Sequence, residues 1–588
     1  MKNLEDYFLS NRKYLIAVLS LIVLSFLLHH KALEGNWGFD DGEHLRFASS
    51  YSPWQYFFDP AVLIKQTYAH ITPWNPFFYD IGLHFFGFSP TALYWMQLCV
   101  ISVSAVAIII LLKNWIGLFP AWIAAAFFLL GVPAQHAAHS IMLGHYTSGL
   151  LWSLLCMIFF QKALSGKFSF LFLALAAFSY ANAALCKELY VPLPLILFFW
   201  PGLKGWRDRI YWLWPFIVLG SIYVVWRKFI LGSAVGGYGQ TLVGISSQES
   251  FLNFFQMLGS FYGVKNLTAV FFIYAIKIIF FIFIFKKIFT KQDWLRFLAI
   301  AASLMLPIVI TITNGTFHLI GPRILFAFWV GLAVAISFFV YGLITKENSR
   351  LFRFLGFFIL IIFGALAAKG QYNDWKSLSI YKNQWNHYYS SYLQSTKSVF
   401  IIDEKDFHMI DYINMILTGA WEAREKINNS SNLPPLVLKN SPFSLALADI
   451  VDAKNRNDVE FLNKAIKNYN QSRLVEKSSY DSSSEKLIIQ NKGNSSQNFI
   501  VIQRNHSKIV WNFSADMKSI YILSKKSSDQ KFAVNKIPNS GELIIPENQL
   551  PFAKIQILTD TDSKILMSDE ISLDFDGRKE ILFSESIN

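Results

Sequence analysis

Residues 12–51 read RKYLIAVLSLIVLSFLLHHKALEGNWGFDDGEHLRFASSY. Arg12 and Lys13 lead into an apolar run over 13–30, and shortly beyond it stand two adjacent acids, Asp40 and Asp41. A helix needs roughly 17–25 apolar residues to cross the hydrocarbon core of a bilayer, so this run is long enough. Its basic start also fits a cleaved signal peptide, but no A-x-A-like cleavage site follows and similar runs recur downstream. It is read as an uncleaved first span.

The later runs lie near 91–112, 117–134, 140–160, 168–185, 189–202, 209–230, 266–285, 294–313, 323–344 and 352–369. Of these, 189–202 is the shortest and holds Pro192 and Pro194. With the N-terminus cytoplasmic, the inner connections carry Lys113, Lys162, Lys204, Arg207, Lys286, Lys291, Lys346 and Arg350. The outer connections are poorer in Lys and Arg for their length, as the positive-inside bias requires. The expected fold is a polytopic α-helical membrane protein of about 11 transmembrane helices, with the 31–90 loop and everything after 370 outside.

Composition agrees. The 588 residues are 54% hydrophobic and only 15% charged, with a mean hydropathy of +0.36, which excludes an ordinary soluble enzyme. The net charge of +13 sits largely in short loops between apolar runs rather than on one soluble face, so no nucleic-acid partner is read from it. Cys99, Cys156 and Cys186 all fall in or beside apolar segments, and no disulfide framework is implied.

The organisation expected is a transmembrane domain over 1–369, an aromatic and polar interfacial linker over 370–395, and a soluble extracytoplasmic region over 396–588. The last begins with a short β run and helical patterns around 409–426 and 458–469. After a Ser-rich break come the strand-like runs KLIIQ, NFIVIQ, KIVWNF, SIYILS, KFAVN, ELIIP, AKIQIL and KILMS, spaced as in a β-sandwich or barrel.

Polar residues that are costly near a membrane gather on the expected outer side. Asp40, Asp41, Glu43, His44, Arg46, Asp59, His70 and Asp80 lie in the first loop, and His136, His139 and His145 flank the next. Lys187 and Glu188 follow, then His318 and Arg323. Paired acids have three physical readings. Mutual repulsion can hold one as a base, both can chelate a hard divalent cation, or they simply cap a helix. His136 and His139, three apart, would share a helix face and could either bind zinc or make polar contacts at the interface. Arg323 and Lys187 could grip phosphate, or else snorkel to the interface and pair with Glu188 respectively.

FDDGEHLRFASSY followed by YFFDP resembles the first outer loop of protein O-mannosyltransferases and, more broadly, of the C-type (GT-C) integral-membrane glycosyltransferases. HITPWNPFFYDIGLHFFGFSPTALYWMQL, GVPAQHAAHSIMLGHYTSGLL, LCKELYVPLPLIL and GPRILFAFWVGLAV are similar to later family segments and arrive in the same order. The likeness covers roughly the first 370 residues in architecture, with close matches confined to these windows. One departure is that the second outer loop offers histidines and no acid.

The resemblance implies a glycosyltransferase of the bacterial plasma membrane that moves a sugar from a polyprenyl-phosphate donor, amid membrane lipids, to an extracytoplasmic protein, lipid or cell-surface glycan, with inversion. Asp40 falls on the catalytic base and Asp41 on its acidic neighbour, with Arg323 and Lys187 on the donor phosphate. Glu43, Arg46, His70, His136, His139 and Glu188 are further candidates. A divalent metal, Mg or Mn, would be held by Asp40, Asp41 and His139. The competing classes are a transporter or flippase of a lipid-linked glycan, which favours midplane charges and internal symmetry, and an inactive glycan-binding relative.

Overall fold

The computed structural model describes the chain apart from residues 1, 67–69, 167, 204, 234–246, 289–322, 324, 346–348, 403–406, 431, 440–441, 468–498, 506–507, 514–518, 526–532, 538–539, 545–553, 561–564, 569–570, 573–576 and 585–588. The expected span at 294–313, the KLIIQ strand and His318 therefore lie outside the described residues. The chain divides into two compact units, Met1–His387 and Tyr388–Asn588.

The first unit is helical. Helix α1 (Lys2–His29) carries the opening apolar run, and the first loop folds as four short helices: α2 (Asp41–Ser50), α3 (Pro53–Phe58), α4 (Pro60–Gln66) and α5 (Trp74–Phe86). Then come α6 (Pro90–Ile116), α7 (Leu118–Leu129), α8 (Val132–Ala138), α9 (Gly144–Ser165) and α10 (Ser169–Cys186). They are followed by α11 (Leu193–Phe198), α12 (Trp206–Leu231), α13 (Ser247–Ser260), α14 (Leu267–Ile288), α15 (Phe326–Thr345) and α16 (Arg350–Leu393). Among the described residues seven helices are long and apolar enough to cross a membrane, or eight if the bent pair α7–α8 is one span. The chain is a multi-pass helical membrane protein.

Two expected spans take a different form. The run at 117–134 is bent by 60° between α7 and α8. Backbone carbonyls freed at such a break must be satisfied internally in a bilayer. The Trp329 indole donates to Phe127 O at 3.0 Å, and His29 Nε2 lies 3.1 Å from Leu129 O. Gly131 at the bend has no side chain because a Cβ there would run into the Trp329 ring.

The run at 189–202 is not a helix of spanning length, since Pro192 and Pro194 leave only the six residues of α11. It nevertheless runs antiparallel to α12 along almost the whole of that helix. Arg227, near one end of α12, pairs with Glu188, while Arg209, near the other, donates to Phe198 O and Leu203 O. Those two arginines are separated by about 27 Å of helix. Its freed carbonyls are taken by Arg209 and, at Val191, by the Tyr180 hydroxyl at 2.8 Å.

Residues 370–393, expected as an interfacial linker, continue α16 as helix. In the second unit, β1 (Val399–Ile402) and β2 (Leu436–Lys439) pair in parallel around the crossover helix α17 (Phe407–Ile427). Helix α18 (Pro442–Arg456) packs Leu447, Ile450 and Val451 onto Val399 and Leu438. The remaining strands are β3 (Phe499–Asn505), β4 (Lys508–Phe513), β5 (Ser519–Lys525), β6 (Ala533–Ile537), β7 (Ser540–Ile544), β8 (Lys554–Asp560), β9 (Ile565–Ser568), β10 (Ile571–Ser572) and β11 (Gly577–Ser584). They form one antiparallel path, β6-β5-β8-β9-β11-β3-β4-β7, with β10 on β8. Strand β11 pairs β3 through Gly577–Leu582 and β9 through Phe583–Ser584, handing the path from one half to the other. The path has two ends, so it is not a closed barrel among the described strands.

Candidate active site

The site is built around the first loop. Asp40 is the N-cap of α2 and its carbonyl accepts from the Glu43 and His44 amides. Before it stands Phe39 at φ +45°, a left-handed conformation that non-glycine residues rarely adopt. Asp41 is only 1% exposed. One of its oxygens accepts from the Tyr79 hydroxyl and the other from the Gly38 amide at 2.6 Å. Helix α5 thus bolts α2 in place, with Asn75 Nδ2 also lying 3.0 Å from His44 Nε2.

Burial raises the Asp41 carboxyl from its ordinary value to about 7, against the pull of Tyr79 and Gly38. Between about pH 4 and pH 7 the folded chain therefore binds a proton that the unfolded chain has released. Stability falls as pH rises through that window, each unit costing up to roughly 1.4 kcal/mol, and levels off above it. Because His44, His70 and Glu188 contribute slopes of the opposite sign, the Asp41 contribution is read as the difference in thermal midpoint between wild type and Asp41→Asn across pH 4–8, which is expected to move against the wild type as pH rises. A difference that moves in favour of the wild type with rising pH would reverse the account.

The second element is a cluster of cations. Lys187 follows α10 with extended backbone (φ −162°, ψ 142°), so the rule that adjacent helical residues face apart does not apply to it and Glu188. Lys187 Nζ lies 3.7 Å from Glu188 Oε2, and His70 Nδ1 is 3.1 Å from Glu188 Oε1. Arg227, 2% exposed on α12, donates to the same carboxylate. Burial lowers the pKa of His70 and His44, so both imidazoles are neutral at pH 7, although Glu188 and Asp40 pull the other way. Buried His145 lies within electrostatic reach of Lys187 and Arg323, and His44 within reach of Asp40. Arg323 Nε and His145 Nδ1 are buried with no hydrogen-bond partner among the described residues.

The third element is α16. Asp374 Oδ1 lies 2.8 Å from His136 Nε2, and the Trp375 ring sits 4.6 Å from that of His139. Lys382 Nζ donates to Lys31 O and Ala32 O at 2.8 and 3.2 Å. Between α16 and the loop is a cavity of about 20 Å³, bounded by Asn36, Trp37, Asp41, Tyr94, His139 and Lys382. That is room for one water.

No family model and no curated protein matches the sequence. The fold is similar to an oligosaccharyltransferase of Archaeoglobus fulgidus tethered to an acceptor peptide (TM-score 0.40, 13% identity, covering 78% of this chain and 68% of that one). It is also similar to AglB from Archaeoglobus fulgidus in complex with an inhibitory peptide and a dolichol-phosphate (0.39, 10%, 94% and 97%) and to ArnT from Cupriavidus metallidurans in the apo state (0.37, 12%, 76% and 89%). No residue role follows from likeness at this level.

The expected residues thus separate into groups. Asp40 and Asp41 share one elbow, while Lys187, Glu188 and His70 form a cluster with Arg227, and Arg323 lies within electrostatic reach of His145. Glu43 and Arg46 pair with each other at 2.5 Å. His136 lies on α8 and His139 just past its end, and both meet α16. The metal set Asp40, Asp41 and His139 does not fit a cation. The Asp41 oxygens are taken by Tyr79 and Gly38, and among the described residues no three His, Cys, Asp or Glu side chains form a ligand cluster.

Sequence reading missed Arg227, Tyr79, Asp374, Lys382 and Asn386. Arg227 alone carried a signal, as a basic residue inside an apolar run. Lys277, in the middle of α14, was likewise not singled out. It is 3% exposed within α14, its Nζ 3.8 Å from the Tyr262 ring centre and 4.6 Å from that of Phe363.

Proposed function

We propose that the chain is a membrane glycosyltransferase that moves a sugar from a polyprenyl-phosphate donor to an extracytoplasmic acceptor hydroxyl. One observation carries this reading. An open apolar groove of about 430 Å³ runs between α11 and α12, past Pro192, Phe216, Gly220 and Val224, and ends one turn below Arg227 and its neighbouring cations. Gly220 keeps the groove floor low, since a Cβ there would lie 2.8 Å from the Tyr180 hydroxyl. An isoprenoid tail matches the groove, and a phosphate matches Lys187, Arg227 and Arg323.

In this arrangement Asp40 takes the proton of the acceptor hydroxyl, whose oxygen attacks the anomeric carbon. The bond from that carbon to the phosphate oxygen breaks, and the charge of the departing polyprenyl phosphate falls on the cations. Attack opposite the leaving phosphate inverts the configuration. Asp40 is favoured over Asp41 as base because Asp41 is sealed and hydrogen-bonded at both oxygens.

Binding of polyprenyl phosphate to the purified chain tests the donor site. Arg323→Ala and Lys187→Ala are each expected to weaken it about tenfold or more, the scale of a charge-assisted hydrogen bond. Unchanged affinity in both would remove the phosphate assignment. Mass analysis of glycans lost from a deletion strain would name the sugar and the acceptor.

A further inference from the structure

The elbow that presents Asp40 is held in a conformation its own sequence disfavours. Phe39 is left-handed at φ +45°, and such residues persist only where their surroundings over-determine them. On one side the elbow is tied by itself and by α5, through Gly38 to Asp41 and Asp41 to Tyr79. On the other it meets the distal part of α16. Asn386 Oδ1 accepts from the Asn36 amide at 2.9 Å, and Asn36 Oδ1 accepts in turn from the Trp37 amide at 2.8 Å. The Trp385 and Phe39 ring centres are 5.8 Å apart. The register of α16 is fixed two turns and more earlier, where Gln135 donates to Gln371 O at 2.9 Å and His136 meets Asp374.

We infer that Trp385 and Asn386 are positioning residues, a clamp on the Phe39 elbow that fixes the direction in which Asp40 faces the acceptor. This rests on the reading of Asp40 as base. Neither residue lines the groove, so loss of the clamp is expected to disturb the chemical step and to leave donor binding alone. A displacement of about 1 Å in a reacting group can cost on the order of 100-fold in rate.

The test uses the purified full chain, a radiolabelled polyprenyl-phosphate hexose and membranes of a deletion strain as acceptor. Asn386→Ala is expected to lower kcat about 10- to 100-fold, with donor KM and polyprenyl-phosphate binding within about twofold of wild type. Asn386→Asp keeps the acceptor oxygen for the Asn36 amide and is expected to restore most of the rate. A loss confined to KM, an Asp variant as impaired as the Ala variant, or an Ala variant with wild-type kcat would each overturn the clamp.

Phe39→Gly supplies a second route, because glycine adopts positive φ without strain. In that background the further loss from Asn386→Ala shrinks, whereas an equal loss in both backgrounds places the role of Asn386 elsewhere. Asp40→Asn, run in parallel, separates the two ideas. If it is active, the base assignment fails; if it is inactive while Asn386→Ala is fully active, only the clamp fails.

Discussion

Asp40→Asn is expected to lower sugar transfer by about 10²- to 10⁴-fold, the range a positioned general base contributes, while polyprenyl-phosphate binding stays at the wild-type level. Asparagine suits a helix N-cap as well as aspartate does, so α2 and the elbow before it keep their shape and the loss reports chemistry. Asp41→Asn provides the contrast. Its amide oxygen can still accept from Tyr79 or Gly38, so a loss of less than about tenfold is expected from a residue that only holds the elbow. Transfer at the wild-type rate by Asp40→Asn would remove the mechanism. A wild-type chain that translocates lipid-linked glycan and transfers no sugar would move the protein to the transporter class.

Glu188→Gln should be the most damaging change to stability among these residues. Glu188 takes a hydrogen bond from Arg227, which is almost fully buried, and lies beside Lys187 and His70. Burial pushes its carboxyl up, but His70, Lys187 and Arg227 together hold it well below the usual carboxylate range. Its contribution is therefore present above the unfolded value near 4.5 and lost as pH falls below it. Neutralising the side chain strands the Arg227 guanidinium without its counter-charge. We expect a loss of roughly 2–3 kcal/mol, below the full penalty for breaking a buried pair because about a quarter of the Glu188 side chain is exposed. The measurement is the thermal midpoint in detergent at pH 7 and at pH 4, where the gap between wild type and variant narrows. Equal midpoints at pH 7 would show that the cluster holds nothing together.

The two expectations draw on different parts of what the chain encodes. Asp40 was visible as one of two adjacent acids beyond an apolar run, whereas Arg227 lies in the middle of WRKFIL and only its pairing with Glu188 gives it meaning. The bend at Gly131 was hidden for the same reason: 117–134 is apolar throughout, and what breaks it is a tryptophan some 200 residues away. The strands NFIVIQ, KIVWNF and SIYILS were legible from alternation and turns, but β11 was not singled out, and its pairing with both β3 and β9 has no local signature.

The sequence by itself determined that this is a multi-pass helical membrane protein with a β-rich C-terminal part, because hydropathy and alternation are local and free energy of transfer acts on each segment separately. It also marked the acid pair, the Lys-Glu turn and the late arginine. Which of these meet was decided by tertiary structure alone. The partnership of α16 with the Phe39 elbow, of Arg227 with Glu188 and of Tyr79 with Asp41 depends on how helices pack and on where buried polar groups find their complements. Those are properties of the whole fold, and no window of sequence contains them.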